Sequence, residues 1–226
     1  MSQALVVTID GPVGSGKGTI ATRLAQRLRW HFLDSGALYR LVALRALALN
    51  LELEDEAALR EQALTLDCRF DFNGEDTTVW LAGEDVSRAL RREETSTMAS
   101  KVAGIAVVRE ALVARQRAFR QGPGLVADGR DMGTVIFPDA PLKLFLTASA
   151  EARAERRYKQ LKEKGESVNL PRLLRDLQAR DQRDSSRSVA PLRPAEGATI
   201  IDATDMTVDE VLQEAYLLVE KNILNN

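Results

Sequence analysis

Only one cysteine and one histidine, Cys68 and His31, occur among the 226 residues. A lone thiol excludes an intrachain disulfide framework. The pair together excludes a Cys/His zinc cluster and leaves little scope for histidine acid–base chemistry, so both residues read as structural. No stretch approaches the roughly 18 apolar residues that a membrane-spanning helix needs. Met1–Val7 is too short, and lacks the basic start, for a secretory signal. A soluble, cytoplasmic protein is the expectation. Net charge is only −2, so no overall basic field draws the chain to nucleic acid or anionic lipid. Internal repeats and low-complexity tracts are also missing.

What is present is ordinary globular composition, 45% hydrophobic and 28% charged. The length suits one domain with a substantial insertion, or two small ones, and buries a core without crosslinks. The positive charge is carried by 24 arginines and 7 lysines. Arginine's planar fork suits phosphate, although an arginine-rich codon bias would explain the count equally well.

Along the chain, Leu5–Ile9 is a β-branched apolar run that predicts a buried strand. A glycine-rich turn follows, then a helix with Ile20, Leu24 and Leu28 on one face. Further strands are expected at Phe32–Leu33, Leu125–Ala127, Leu142–Leu146 and Thr199–Ile201. Leu38, Leu41, Val42 and Leu49 predict an amphipathic helix, and Glu54–Leu66 another. Alternation at Cys68, Phe70 and Phe72, the Asn73-Gly74 pair and Thr77–Leu81 predict a β-hairpin, with a turn at Gly83–Asp85. Helices are expected over Glu93–Val102, Val107–Arg120, Ala150–Lys164 and Leu170–Arg183. Thr207 and Glu210 form a capping box for a last helix whose Val208, Val211, Leu212, Ala215 and Val219 face inward.

Strands alternating with helices predict a five-stranded parallel sheet in a three-layer α/β fold. Residues 37–102, with the hairpin, form an insertion, and residues 1–36 and 103–226 form the core. Ligands in such folds bind beyond the carboxyl ends of the strands, where Asp10, Asp34 and Asp128 fall.

The strongest chemical signal is Gly11-Pro12-Val13-Gly14-Ser15-Gly16-Lys17-Gly18-Thr19 between a strand and a helix. Glycines let successive N–H groups point at phosphate oxygens, the helix N-terminus adds partial positive charge, and Lys17 reaches the terminal phosphates. Gly18 stands where the general pattern has a hydroxyl, which arrives one residue later at Thr19. A nucleoside triphosphate site follows from this spacing.

Four segments, Asp10–Thr19, Asp34-Ser-Gly-Ala-Leu-Tyr-Arg40, Asp128-Gly-Arg-Asp-Met-Gly-Thr134 and Arg180-Asp-Gln-Arg-Asp184, resemble the bacterial cytidylate kinases. These are a branch of the nucleoside monophosphate kinases. The resemblance implies a P-loop kinase fold with an enlarged monophosphate-binding domain at the insertion and a lid near residues 150–168. It implies transfer of the γ-phosphoryl group of ATP to CMP and dCMP, with Mg²⁺ on the donor phosphates. It carries over Ser35, Tyr39 and Arg40 as monophosphate contacts. Arg130 then holds the acceptor phosphate, and Asp131, Ser100 and Arg109 contact the base. Arg180, Asp184 and Arg187 address ribose and phosphate.

Residues 150–193 hold nine arginines. Arg153, Arg156 and Arg157 share a helix face and would crowd like charge unless anions arrive. Arg156 is the lid arginine expected at the transferring phosphate, so Lys17, Arg130, Arg156 and Arg187 are the candidate catalytic set. The sequence does not identify a metal ligand. Small-molecule nucleotides are the expected partners of a monomer, with no nucleic acid and no membrane. Another P-loop kinase with a different acceptor is the alternative. A GTP-binding switch is disfavoured because its Asn-Lys-x-Asp guanine motif is absent.

Overall fold

The computed structural model describes Gln3–Asn73, Asp76–Glu163, Gly165 and Ser167–Asn225. In chain order the elements are β1 (Leu5–Asp10), α1 (Lys17–Leu28), β2 (His31–Asp34), α2 (Ser35–Ala48), α3 (Glu56–Leu64), β3 (Cys68–Asn73), β4 (Asp76–Leu81) and β5 (Glu84–Asp85). Next come α4 (Ser87–Leu90), α5 (Glu93–Val102), α6 (Ala106–Arg117), β6 (Gly124–Gly129) and β7 (Leu142–Thr147). The chain ends with α7 (Ala150–Glu163), α8 (Leu170–Ser185), β8 (Thr199–Asp202) and α9 (Val208–Val219). The main sheet is parallel and five-stranded, in the order β2-β6-β1-β7-β8. Contacts divide the chain into two compact units, one of residues 1–32 and 120–226, the other of Leu33–Phe119.

In the first unit, β1 from Val6 to Asp10 and all of β6 are buried, as befits central strands covered on both faces. Ile20, Ala21, Leu24 and Ala25 recur at helical spacing on α1 and join Val7, Ile9, Val126, Leu144 and Leu146 in one core. Fully burying a side chain such as Leu24 contributes about 1.5–3 kcal/mol. Val211, Ala215 and Val219 of α9 complete this core. Val208, expected inward, is exposed in the first turn. The Thr207–Glu210 capping box is formed. Glu210 donates its N–H to the Thr207 hydroxyl at 3.3 Å, and Thr207 donates its own N–H to the Glu210 carboxylate at 2.8 Å.

In the second unit, α2 departs from the amphipathic expectation. Leu38, Tyr39, Leu41, Val42, Ala43 and Ala46 are all buried, because α5 and α3 pack on different sides of it. Leu49 lies beyond the helix and is exposed. Asp34 caps α2, accepting the Ala37 N–H at 3.0 Å. β3 and β4 pair antiparallel with Phe70 opposite Val79. The Asn73-Gly74 turn falls partly outside the described residues. The expected turn at Gly83–Asp85 is shorter. Ala82 and Gly83 take positive φ values of 50° and 83°, and Glu84–Asp85 then pairs with β4 as a third strand. The unit is wider than the 37–102 insertion, because α6 packs against α3 within it.

Thr207→Ala removes the hydroxyl half of the α9 cap and keeps the Thr207 N–H that Glu210 accepts. Unfolding free energy should fall by about 1 kcal/mol, lowering Tm by roughly 2–4 °C in a chain of this size. Scanning calorimetry of the two proteins checks this, and an unchanged Tm would deny the box any part in stability.

Candidate active site

β1 ends in a buried aspartate, and the loop that follows is shaped by backbone contact. A Cβ on Gly11 would lie 2.0 Å from the Leu146 carbonyl oxygen, so only glycine lets the loop rest on the end of β7. Gly14 and Gly16 take left-handed φ values of 78° and 92° and curl the chain into α1. No side chain caps that helix, so its first N–H groups keep their capacity for an anion. Within the loop, the Ser15 hydroxyl is buried without a hydrogen-bond partner. Lys17 folds back over the loop, its Nζ donating to the Pro12 carbonyl at 3.2 Å. Gly18 has a physical reason to lack a side chain, since a Cβ there would sit 3.3 Å from Asp128 Oδ2. A carboxylate occupies the space beside the usual hydroxyl position, while Thr19 is exposed.

Beyond β6, an arginine cluster forms around one carboxylate. Asp184, 2% exposed, receives Arg130 Nε at 3.0 Å on one oxygen and Arg187 Nη2 at 2.6 Å on the other. Burial alone would raise its pKa, but Arg130 and Arg187, with Arg180 nearby, hold it below the usual carboxylate value. Asp131, next to Arg130, is buried. Its carbonyl accepts the N–H groups of Val135 and Ile136 at 2.9 and 3.2 Å, which opens a wide turn over Met132–Ile136.

The arginines of α7 do not crowd. Arg153 forms a two-pronged pair with Asp181 at 3.0 and 2.5 Å and also donates to the Val13 carbonyl at 3.0 Å. Arg153 is therefore the arginine that touches the phosphate loop. Arg156, expected at the transferring phosphate, donates to the backbone carbonyls of Ala203, Thr204 and Met206 between β8 and α9. Three residues apart, the two share a face of α7, and each guanidinium takes its own carbonyl partners, Arg153 at Val13 and Arg156 at Thr204 and Met206.

The second unit holds its own polar set. Arg40 pairs with Asp34 at 3.6 Å. Arg109 is buried, donates to the Ala103 carbonyl at 2.9 Å and lies 5.5 Å from the centre of the Tyr39 ring. Ser35 and Ser100 are buried as well. Lys17, Arg130, Asp131, Arg180, Asp184 and Arg187 thus belong to the first unit, and Ser35, Tyr39, Arg40, Ser100 and Arg109 to the second. His31 lies 2.9 Å from the Gly122 carbonyl, and the Cys68 thiol accepts from Arg115 at 3.6 Å. Burial pushes that thiol's pKa up, with Arg115 opposing.

In the sequence nothing local marks Arg153 as the loop's partner, and Asp181 stands only as one position of the Arg180–Asp184 segment. The only signal available was the arginine triplet one turn into a helix after β7. Asp10 and Asp128 were visible as strand-end carboxylates, but nothing local assigned their contacts.

A phosphate loop at the end of a parallel sheet, backed by guanidinium groups organised around a buried carboxylate, defines a P-loop phosphotransferase. The sequence matches the cytidylate kinase family over residues 7–221. A cytidylate kinase of Aeromonas salmonicida is 57% identical over 220 residues, 97% of this chain and 96% of the relative. Those of Shewanella loihica and Vibrio cholerae are 56% and 55% identical, each covering 99% of this chain and 98% and 99% of their own lengths. The chain belongs to the cytidylate kinase family.

Burial raises the Asp10 carboxyl to about 7, against the N–H groups of Gly133 and Met132 that lower it, while Asp131 and Asp128 add to the rise. The fold therefore favours the protonated acid. The stability this confers is complete below the ordinary value of 3.8 and is lost as pH rises through about 7. Asp10→Asn cannot ionise. The Tm of the variant minus that of the parent should become more positive from about pH 5 to about pH 8 without nucleotides, and a constant difference would refute the assignment.

Proposed function

We propose that the chain transfers the γ-phosphoryl group of ATP to CMP and dCMP, giving the nucleoside diphosphate and ADP. The observation that carries this reading is the Arg130–Asp131 pair at the end of β6. It sets a guanidinium anchored by Asp184 beside a buried carboxylate.

An oxygen of the acceptor phosphate attacks the γ-phosphorus in line. The new P–O bond forms as the bond to the β-γ bridging oxygen breaks, and ADP leaves. Charge gathers on the transferring group and the leaving oxygen, so positioned cations supply most of the catalysis. The glycine loop and Lys17 hold the donor phosphates. Arg130 and Arg187 hold the acceptor phosphate, with Ser35, Tyr39 and Arg40 contributing contacts and Arg180 and Asp184 meeting ribose. Asp184 neutralises part of the charge of both guanidinium groups and fixes their direction before substrate arrives. Arg153 braces the loop. Arg156 reaches the transferring phosphate only by leaving its carbonyl partners, which makes closure of α7 its condition for acting. Mg²⁺ arrives with ATP, and the Asp128 carboxylate beside Gly18 suits its water shell.

The second unit acts as the monophosphate-binding domain and the α7–α8 segment as the lid. The protein works as a cytoplasmic monomer. An assay of ADP release across a panel of monophosphates distinguishes this activity from that of a kinase with another acceptor.

Lys17→Ala should leave the fold intact and lower kcat on the order of a hundredfold or more. Near-parental kcat at saturating ATP would rule out the loop assignment. The base is read at position 4, where cytosine offers an amino donor and uracil a carbonyl acceptor. A carboxylate only accepts, so Asp131 pairs with cytosine and opposes uracil, whereas the Ser100 hydroxyl adapts to either. Arg109 donates to the O2/N3 edge. Asp131→Asn should narrow the CMP-over-UMP ratio of kcat/KM, chiefly through loss of CMP activity. A ratio unchanged from the parent would remove Asp131 from base recognition.

A further inference from the structure

We infer that Asp10 is a positioning residue for acceptor recognition, its buried carboxylate fixing the Arg130–Asp131 pair through the two backbone N–H groups that follow it. The inference rests on the acceptor role given to that pair above. Asp10 is the last residue of β1, immediately before the phosphate loop, and no step of the transfer uses it. Its Oδ1 accepts the Met132 N–H and its Oδ2 the Gly133 N–H, each at 2.8 Å. Since the Asp131 carbonyl is itself taken by Val135 and Ile136, the peptide group joining Asp131 to Met132 is held at both its C=O and its N–H.

The approach is close. A Cβ on Gly133 would lie 2.9 Å from Thr8 Oγ1, 3.2 Å from Ala195 Cβ and 3.4 Å from Asp10 Oδ2. Position 133 therefore admits glycine while the loop stays seated. Two N–H donors on adjacent residues need two acceptors. The two carboxyl oxygens supply both, in full once the group ionises above about pH 7, whereas an asparagine supplies one oxygen and turns an NH₂ group toward the second donor. This accounts for an ionisable side chain at a buried position where a neutral amide of the same shape would avoid the cost of burying charge.

The phosphate loop does not depend on these two bonds. Gly11 rests on the Leu146 carbonyl, and Arg153 holds the Val13 carbonyl. Loosening the Asp10 contacts should shift Arg130 and Asp131 while the ATP site keeps its form. Misplacement by about 1 Å at an aligned site can cost on the order of a hundredfold, so a smaller shift predicts a loss near tenfold.

The test uses the full chain with Asp10→Asn and, separately, Gly133→Ala, which keeps the carboxylate but wedges the loop. Three quantities are measured: KM for CMP, Kd for a non-hydrolysable ATP analogue, and NMR amide exchange at Met132 and Gly133 without nucleotides. Both variants should raise KM for CMP about tenfold with analogue Kd within about twofold of the parent. Asp10→Asn should also speed exchange at both amides. A CMP KM equal to the parent's, or an analogue affinity that falls as far as CMP recognition does, overturns the inference. If Asp10→Asn does not fold, Gly133→Ala decides by the same split. If the parent itself fails to phosphorylate CMP, the functional reading falls. The exchange rates still judge the clamp, and unchanged exchange in Asp10→Asn overturns it.

Discussion

The contact on which the molecule depends is the seating of Gly11 against the carbonyl of Leu146. It exists because two parallel strands, β1 and β7, lie side by side, with Asp10 at the end of β1 opposite Phe145 and β7 running on to Thr147. Their apolar side chains form a core with α1 and α9, so the loop's backbone inherits the rigidity of the most buried part of the first unit. A phosphate loop works through N–H groups whose directions must be set in advance. Here the sheet sets them by packing, and glycine is the residue that lets packing come so close.

A second theme is how so much positive charge is tolerated. Arginines gathered for phosphate would repel one another in the free protein. The structure answers with individual partners: Asp184 for Arg130 and Arg187, Asp181 for Arg153, and three backbone carbonyls for Arg156. A guanidinium group with five N–H donors can keep such a partner and still present donors elsewhere. Removing one carboxylate would thus disturb two cations together, which makes the cluster a cooperative unit.

Much of this was legible in the amino-acid order, for reasons that differ from place to place. The central strands show as β-branched runs because they are buried on both faces. The α9 cap shows because its two partners are three residues apart. The phosphate loop is legible because its chemistry imposes a spacing. What escaped was set by distant neighbours. α2 is buried on most sides by helices that follow it, so its own periodicity misleads. Glu84–Asp85 becomes a strand only because β4 lies beside it. That Arg153 meets Val13 depends on how α7 is placed against the phosphate loop, which no local pattern records. The Arg130–Asp184 pairing spans 54 positions, and the family resemblance supplies the two residues only as separate substrate contacts.

The chain leaves the first unit after Phe32 and returns at Arg120. The two crossing points are neighbours, since the His31 ring meets the Gly122 carbonyl and Arg120 is anchored to the Ala4 carbonyl and Asp139. The intervening segment is therefore a detour that closes on itself, and the entropy of closing such a loop grows only slowly with its length. The core can carry a longer or shorter segment between those gateposts while its central strands β1, β6 and β7 keep their pairing. The size of the second unit and the pairing of the central strands are thereby separable features of one chain.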